Sequence, residues 1–98
     1  MYKTRILIVE DEDRMRRLVG DYLKREGYSI LEAEDGKTAI DIFEDERVDL
    51  IILDIMLPKY DGWTVLREIR KTSSIPIIVL TARSEESDEL FGFDLGAD

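Results

Sequence analysis

Three carboxylates in this chain stand directly after apolar runs. Glu10 and Asp11 follow Arg5–Val9 (RILIV), and Asp54 ends Val48–Asp54 (VDLIILD). Thr81 stands at the matching end of Ile75–Ala82 (IPIIVLTA). If the first and third runs are neighbouring strands, the three acids crowd one rim. Like charges that close repel and raise one another's pKa unless something neutralises them. A hard divalent cation does so. An oxygen-only ligand set suits Mg2+, which keeps several waters and takes only one or two carboxylates. Asp54 is then either a metal ligand or a reactive oxygen held on a rigid strand end. The plainer alternative is that an acid after a strand caps the next helix, and Glu12 and Asp13 read that way or as solvated. Met15, Tyr22, Phe43 and Trp63 read as packing rather than as a cofactor box.

The elements that must position these residues follow from periodicity. Arg5–Val9 is a buried-strand candidate rich in β-branched residues. Met15, Leu18, Val19, Tyr22 and Leu23 recur at helical spacing, and Gly27 sits where a C-terminal cap belongs. Tyr28–Glu34 reads as a more exposed strand. Asp35 can cap a helix running through Ala39, Ile40 and Phe43. Val48–Asp54 is the third strand. Asp61 can cap Gly62–Lys71, whose Val65, Leu66 and Ile69 share a face. Ile75–Ala82 is the fourth strand, with Pro76 at its start, where proline is tolerated. Ser84 can cap a last helix with acids in its first turn.

The alternation βαβαβαβα implies parallel pairing with right-handed crossovers. Strands one and three are the most uniformly apolar and belong in the middle of a sheet covered on both faces. In such sheets ligands bind beyond the carboxyl ends of the strands, where the winding reverses.

Composition narrows the function classes. With 98 residues, one domain is the default. Acidic residues number 23 against 14 basic, a net charge of −9, which argues against nucleic-acid binding by this segment and for cations or basic partners. The absence of cysteine and histidine excludes disulfides, thiolate chemistry and imidazole acid–base work. No signal peptide or membrane span is apparent, so a soluble cytoplasmic protein is expected. The 38% charged fraction, with neither cysteine nor histidine, points toward a thermophile.

Four motifs together carry a family resemblance: Ile6–Glu12 (ILIVEDE), Asp49–Gly62 (DLIILDIMLPKYDG), Ile75–Ala82 and Gly92–Asp98 (GFDLGAD). The chain resembles the receiver domain of bacterial two-component response regulators over all 98 residues. The wording around Asp54 is most similar to receivers that carry a C-terminal winged-helix DNA-binding domain. The resemblance implies an α/β, flavodoxin-like, doubly wound parallel sheet of order 2-1-3-4. It implies that Asp54 is the phosphoacceptor and that Asp11, with Glu10 through water, holds Mg2+. The backbone carbonyl of Met56 becomes a further ligand. Thr81 becomes the hydroxyl that turns to the phosphoryl group, and Ala82 the small neighbour that leaves it room. The implied partners are a sensor histidine kinase and a DNA-binding effector domain in the parent protein. A phosphoacceptor of this kind assists its own phosphorylation and is not a turnover enzyme.

In this family the GAD motif leads into a fifth strand, a phosphate-pairing lysine and a fifth helix, whereas this sequence stops at Asp98. It therefore resembles a single truncated receiver. Lys59 lies near the site in sequence, with nothing to place it as a substitute. The fourth strand is expected to become an open edge, and the fragment to self-associate through Ile75–Thr81 or by rearranging Glu85–Gly96 over the bare face. Two alternatives remain. One is a phosphatase or phosphomutase of the haloacid dehalogenase type, disfavoured because no second acid stands two residues after Asp54. The other is a folding or assembly fragment without signalling competence.

Overall fold

The computed structural model describes residues 3–55 and 61–80. Within them the chain alternates strictly: β1 (Arg5–Val9), α1 (Asp13–Arg25), β2 (Ser29–Ala33), α2 (Gly36–Asp45), β3 (Leu50–Asp54), α3 (Gly62–Arg70) and β4 (Ile77–Leu80). The last helix expected from the sequence, its Ser84 cap and the Thr81–Ala82 end of the fourth strand lie outside the described residues.

All three strand pairings are parallel, in the order β2-β1-β3-β4. This is the flavodoxin-like order expected from the resemblance, with strands one and three in the middle as their composition requires. One face packs Leu7, Val9, Ile51, Leu53, Ile77 and Val79 against Ala39 of α2 and Val65, Leu66 and Ile69 of α3. On the opposite face Ile6 and Ile8 are also buried. There α1 lies close enough that a methyl group at Gly20 would stand 3.7 Å from Ile8 and 3.6 Å from Ile30. Burial of β1 on both faces, and of β3 on one face with Ile52 half-buried on the other, accounts for their continuous apolar runs.

The helix ends follow from local chemistry. Gly27 takes φ +100°, where a side chain would be strained. It closes α1 as a Schellman turn: its amide donates to the Lys24 carbonyl at 3.0 Å, and that of Tyr28 to Leu23 at 3.1 Å. Asp35 accepts from the Thr38 amide at 2.8 Å and Asp61 from the Thr64 amide at 2.9 Å. Both are the caps expected from the sequence. Glu12 occupies the N-cap position of α1 without a side-chain capping bond. The end of the sheet away from the strand C-termini is tied by Asp49, which accepts the Arg5 amide at 2.9 Å and pairs with Arg47.

One periodic signal divides. Val19 and Leu23 of α1 are half-buried, but Met15, Leu18 and Tyr22 are 44, 65 and 55% exposed. On β4, Ile78 and Leu80 are exposed as well. Register places Ile78 beside Ile52, and Ile52 beside Ile8. Neighbours in a parallel ladder share a face, so Ile78 and Leu80 lie on the side of the sheet that α1 covers.

Asp35 is the one buried polar or charged residue of the described core, at 7% exposure. Its replacement by alanine should cost about 2 kcal/mol, the upper end of the range for a lost N-cap. Urea denaturation should report this as a lower midpoint with an unchanged m-value.

Candidate metal centre

The pairing of β1 with β3 brings Val9 opposite Leu53. The next step along each strand places Glu10 beside Asp54, so both carboxylates leave the central strands at the same level. Side chains alternate along a strand, which puts Glu10 on the face of Ile8 and Asp54 on the face of Ile52. These are the same face of the sheet. Asp11 follows Glu10 in the turn. One carboxylate oxygen from each of Glu10, Asp11 and Asp54 lies within 4.8 Å of the others. Glu10 and Asp54 are half-buried and Asp11 is exposed.

The turn that carries two of these acids is held at several points. The Glu10 amide continues the ladder by donating to the Ala33 carbonyl at 3.1 Å. Glu10 Oε2 accepts the Glu12 amide at 3.0 Å. The carbonyl of Glu10 accepts from Arg16 Nη1 at 2.8 Å. On the other strand the Ile55 amide donates to the Leu80 carbonyl at 3.1 Å, and the Gly62 amide to the Ile55 carbonyl at 2.7 Å. Gly62 opens α3 hard against the strand exit. A Cβ there would stand 2.4 Å from Ile55 Cα and 2.9 Å from the Asp54 carbonyl oxygen, closer than backbone atoms permit.

Electrostatics records the crowding. Burial pushes the Glu10 carboxyl from its ordinary value of 4.5 up to about 7. The bond from the Glu12 amide opposes this, while the charge of Asp54 and hydrogen bonds to Asp11 and Asp54 add to it. The donor set is all oxygen, anionic and mutually repelling. That is the chemistry of a hard-cation site, and it fits Mg2+ better than a transition metal selected by nitrogen or sulfur.

Of the residues singled out from the sequence, Glu10, Asp11 and Asp54 come together. Met56, Lys59, Thr81 and Ala82 lie outside the described residues. Sequence patterning missed Arg16, Glu32 and Gly62. Only Gly62, a glycine directly after a capping aspartate, carried any local signal, because a contact to a carbonyl leaves no trace in residue type.

Comparison with known proteins bears directly on this geometry. The model of the response regulator receiver domain family matches residues 6–98. A probable transcriptional regulator, ycf27, of Porphyridium aerugineum is 46% identical over 98 residues, all of this chain and 41% of that protein. The transcriptional regulatory protein ResD of Bacillus subtilis (strain 168) is 49% identical over 96 residues, 98% of this chain and 40% of its own length. The chain thus spans about two fifths of these relatives. Among solved structures, the response regulator TrrA of Thermotoga maritima in complex with Mg(2+)-BeF superposes with a TM-score of 0.81 at 41% identity, covering 95% of this chain and 77% of that one.

The raised Glu10 carboxyl sets a pH dependence. Between about 4.5 and about 7 the folded chain holds more proton on Glu10 than the unfolded chain does. The stability linked to this group is therefore fully present below about 4.5 and is lost as pH rises through about 7. Urea midpoints measured from pH 5 to pH 8 without divalent cations should fall, and Glu10→Gln should flatten that part of the slope.

Proposed function

The chain belongs to the response regulator receiver domain family, and from that premise we propose that it accepts a phosphoryl group on Asp54 with Mg2+ held by the neighbouring carboxylates. One observation carries this: oxygens of Glu10, Asp11 and Asp54 converge within 4.8 Å at the carboxyl ends of the two central strands. Asp11 and Asp54 would hold the ion directly, and Glu10 would act through water. The metal supplies charge neutralisation for the phosphoryl oxygens as they gather negative charge. An ionised Asp54 oxygen attacks phosphorus in line. The bond from phosphorus to the donor breaks, and its electron pair leaves with the donor. The product is an aspartyl phosphate, and Asp54 must be restored before it can accept again. The chain is thus a phosphoacceptor, not a turnover enzyme.

On the family resemblance we assign three further roles: the Met56 backbone carbonyl as another Mg2+ ligand, Thr81 as the hydroxyl that bonds the phosphoryl group, and Ala82 as the small neighbour that leaves it room. The donor in the cell is a phosphohistidine on a sensor kinase, and the setting is the cytoplasm. The relatives are named as transcriptional regulators, which supports a DNA-binding output in the parent protein. With its charge of −9 this segment does not itself contact nucleic acid.

Acetyl phosphate with Mg2+ tests the chemistry. Intact mass should rise by one phosphoryl group, mapped to Asp54 and abolished in Asp54→Asn. Asp11→Asn should weaken Mg2+ affinity by about 10-fold or more. A phosphate mapped to Glu10 or Asp13 would overturn the assignment.

The exposed apolar residues support self-association of this 98-residue chain. Ile78 and Leu80 lie on β4, an edge strand among the described residues, and Met15, Leu18 and Tyr22 line the outer side of α1. Open edges and apolar patches recruit other chains. Light scattering on a size-exclusion column should give a mass that rises with concentration. Ile78→Lys should lower it. A concentration-independent monomer would refute association.

A further inference from the structure

Arg16 makes three directed contacts through its guanidinium. Its Nε donates to Glu32 Oε1 at 2.9 Å, its Nη2 to Asp13 Oδ1 at 2.7 Å and its Nη1 to the Glu10 carbonyl at 2.8 Å. The side chain is only 12% exposed. Three elements meet on one guanidinium: β2 through Glu32, the first turn of α1 through Asp13, and the exit of β1 through Glu10.

Two roles are conceivable for a cation so close to the acidic cluster, and charge separates them. One positive group already paired with two carboxylates leaves the trio net negative. Arg16 therefore has no surplus charge to offset Glu10, Asp11 and Asp54. What it contributes is geometry. The Glu10 carbonyl belongs to the same peptide plane as the Asp11 amide. Holding that oxygen fixes the plane, and the plane sets the direction in which the Asp11 side chain leaves the backbone. A rigid fork can do this while anchored at its other nitrogens, which the single ammonium of lysine cannot.

We propose that Arg16 is a positioning residue for the cation site, locking the turn after β1 so that Asp11 and Glu10 face Asp54. The assignment rests on the Mg2+ site proposed above. Outer-shell partners of metal ligands are worth about 10- to 100-fold in affinity, and Arg16 acts one bond further out, through the backbone.

The test is calorimetric Mg2+ titration at pH 8, checked by Trp63 fluorescence, on the 98-residue chain and on Arg16→Gln, Arg16→Lys and Glu32→Gln. Amide NMR and urea midpoints identify which variants are folded. Arg16→Gln should weaken Mg2+ about 10-fold, and Arg16→Lys should fall within about two-fold of it. Glu32→Gln, which strips the charge from one anchor and leaves the carbonyl bond, should lose about three-fold. A folded Arg16→Gln that binds Mg2+ as tightly as the parent overturns the proposal, as does full affinity in Arg16→Lys. If Arg16→Gln does not fold, parental affinity in both other variants overturns it equally. A parent chain that binds no Mg2+, or whose binding is indifferent to Asp11→Asn, instead overturns the metal site itself. Binding lost in Asp11→Asn but unchanged across the Arg16 and Glu32 variants removes only the positioning role.

Discussion

The parallel pairing of β1 with β3 is the constraint on which the rest depends. β1 is buried on two faces and β3 on one, with Ile52 half-buried on the other, and Leu7, Val9, Ile51 and Leu53 lock their side chains into one core. A slip of one residue would turn every buried side chain to the wrong face. The register is therefore fixed by apolar packing, far more strongly than three carboxylates could oppose it. Glu10 and Asp54 come together because the core leaves them nowhere else to go. The repulsion between them is a consequence of the packing.

Much of this was legible in the residues. β1 and β3 were central because nothing polar interrupts them, and that placement alone brought Glu10, Asp11 and Asp54 to one rim. Asp35, Asp61 and Gly27 were legible as caps because each position demands a narrow set of side chains or backbone angles. Strand limits were less so. The fourth strand, read from Ile75, begins at Ile77, and Ile75 instead receives Arg70 on its carbonyl. The α1 stripe misled in part, because periodicity shows which residues share a face but not whether anything covers it. Arg16 was invisible for another reason. Its principal contact is to a carbonyl oxygen, which every residue possesses.

The site also contrasts with the ion pairs among the described residues, where opposite charges meet: Arg5 with Glu46, Lys37 with Asp41, Lys71 with Glu68. At the rim, local preference and global fold disagree, and Glu10 is left with a carboxyl that resists ionisation near neutral pH. Such disagreements concentrate where a protein does something other than fold. A bound cation would turn the conflict into a contact.

Gly62 has a consequence for how this sequence can change over generations. It carries no side chain to cap, pair or ligate. Yet the backbone of Asp54 and Ile55 already occupies the space where its Cβ would be. Every amino acid except glycine brings that atom. A lineage can trade Asp61 for another capping residue, or vary Trp63 with repacking, in single steps that keep the chain working. At position 62 every route leads first through a displaced strand exit. Natural variation should therefore hold this glycine as firmly as any residue of the acidic rim beside it, for reasons that are purely spatial.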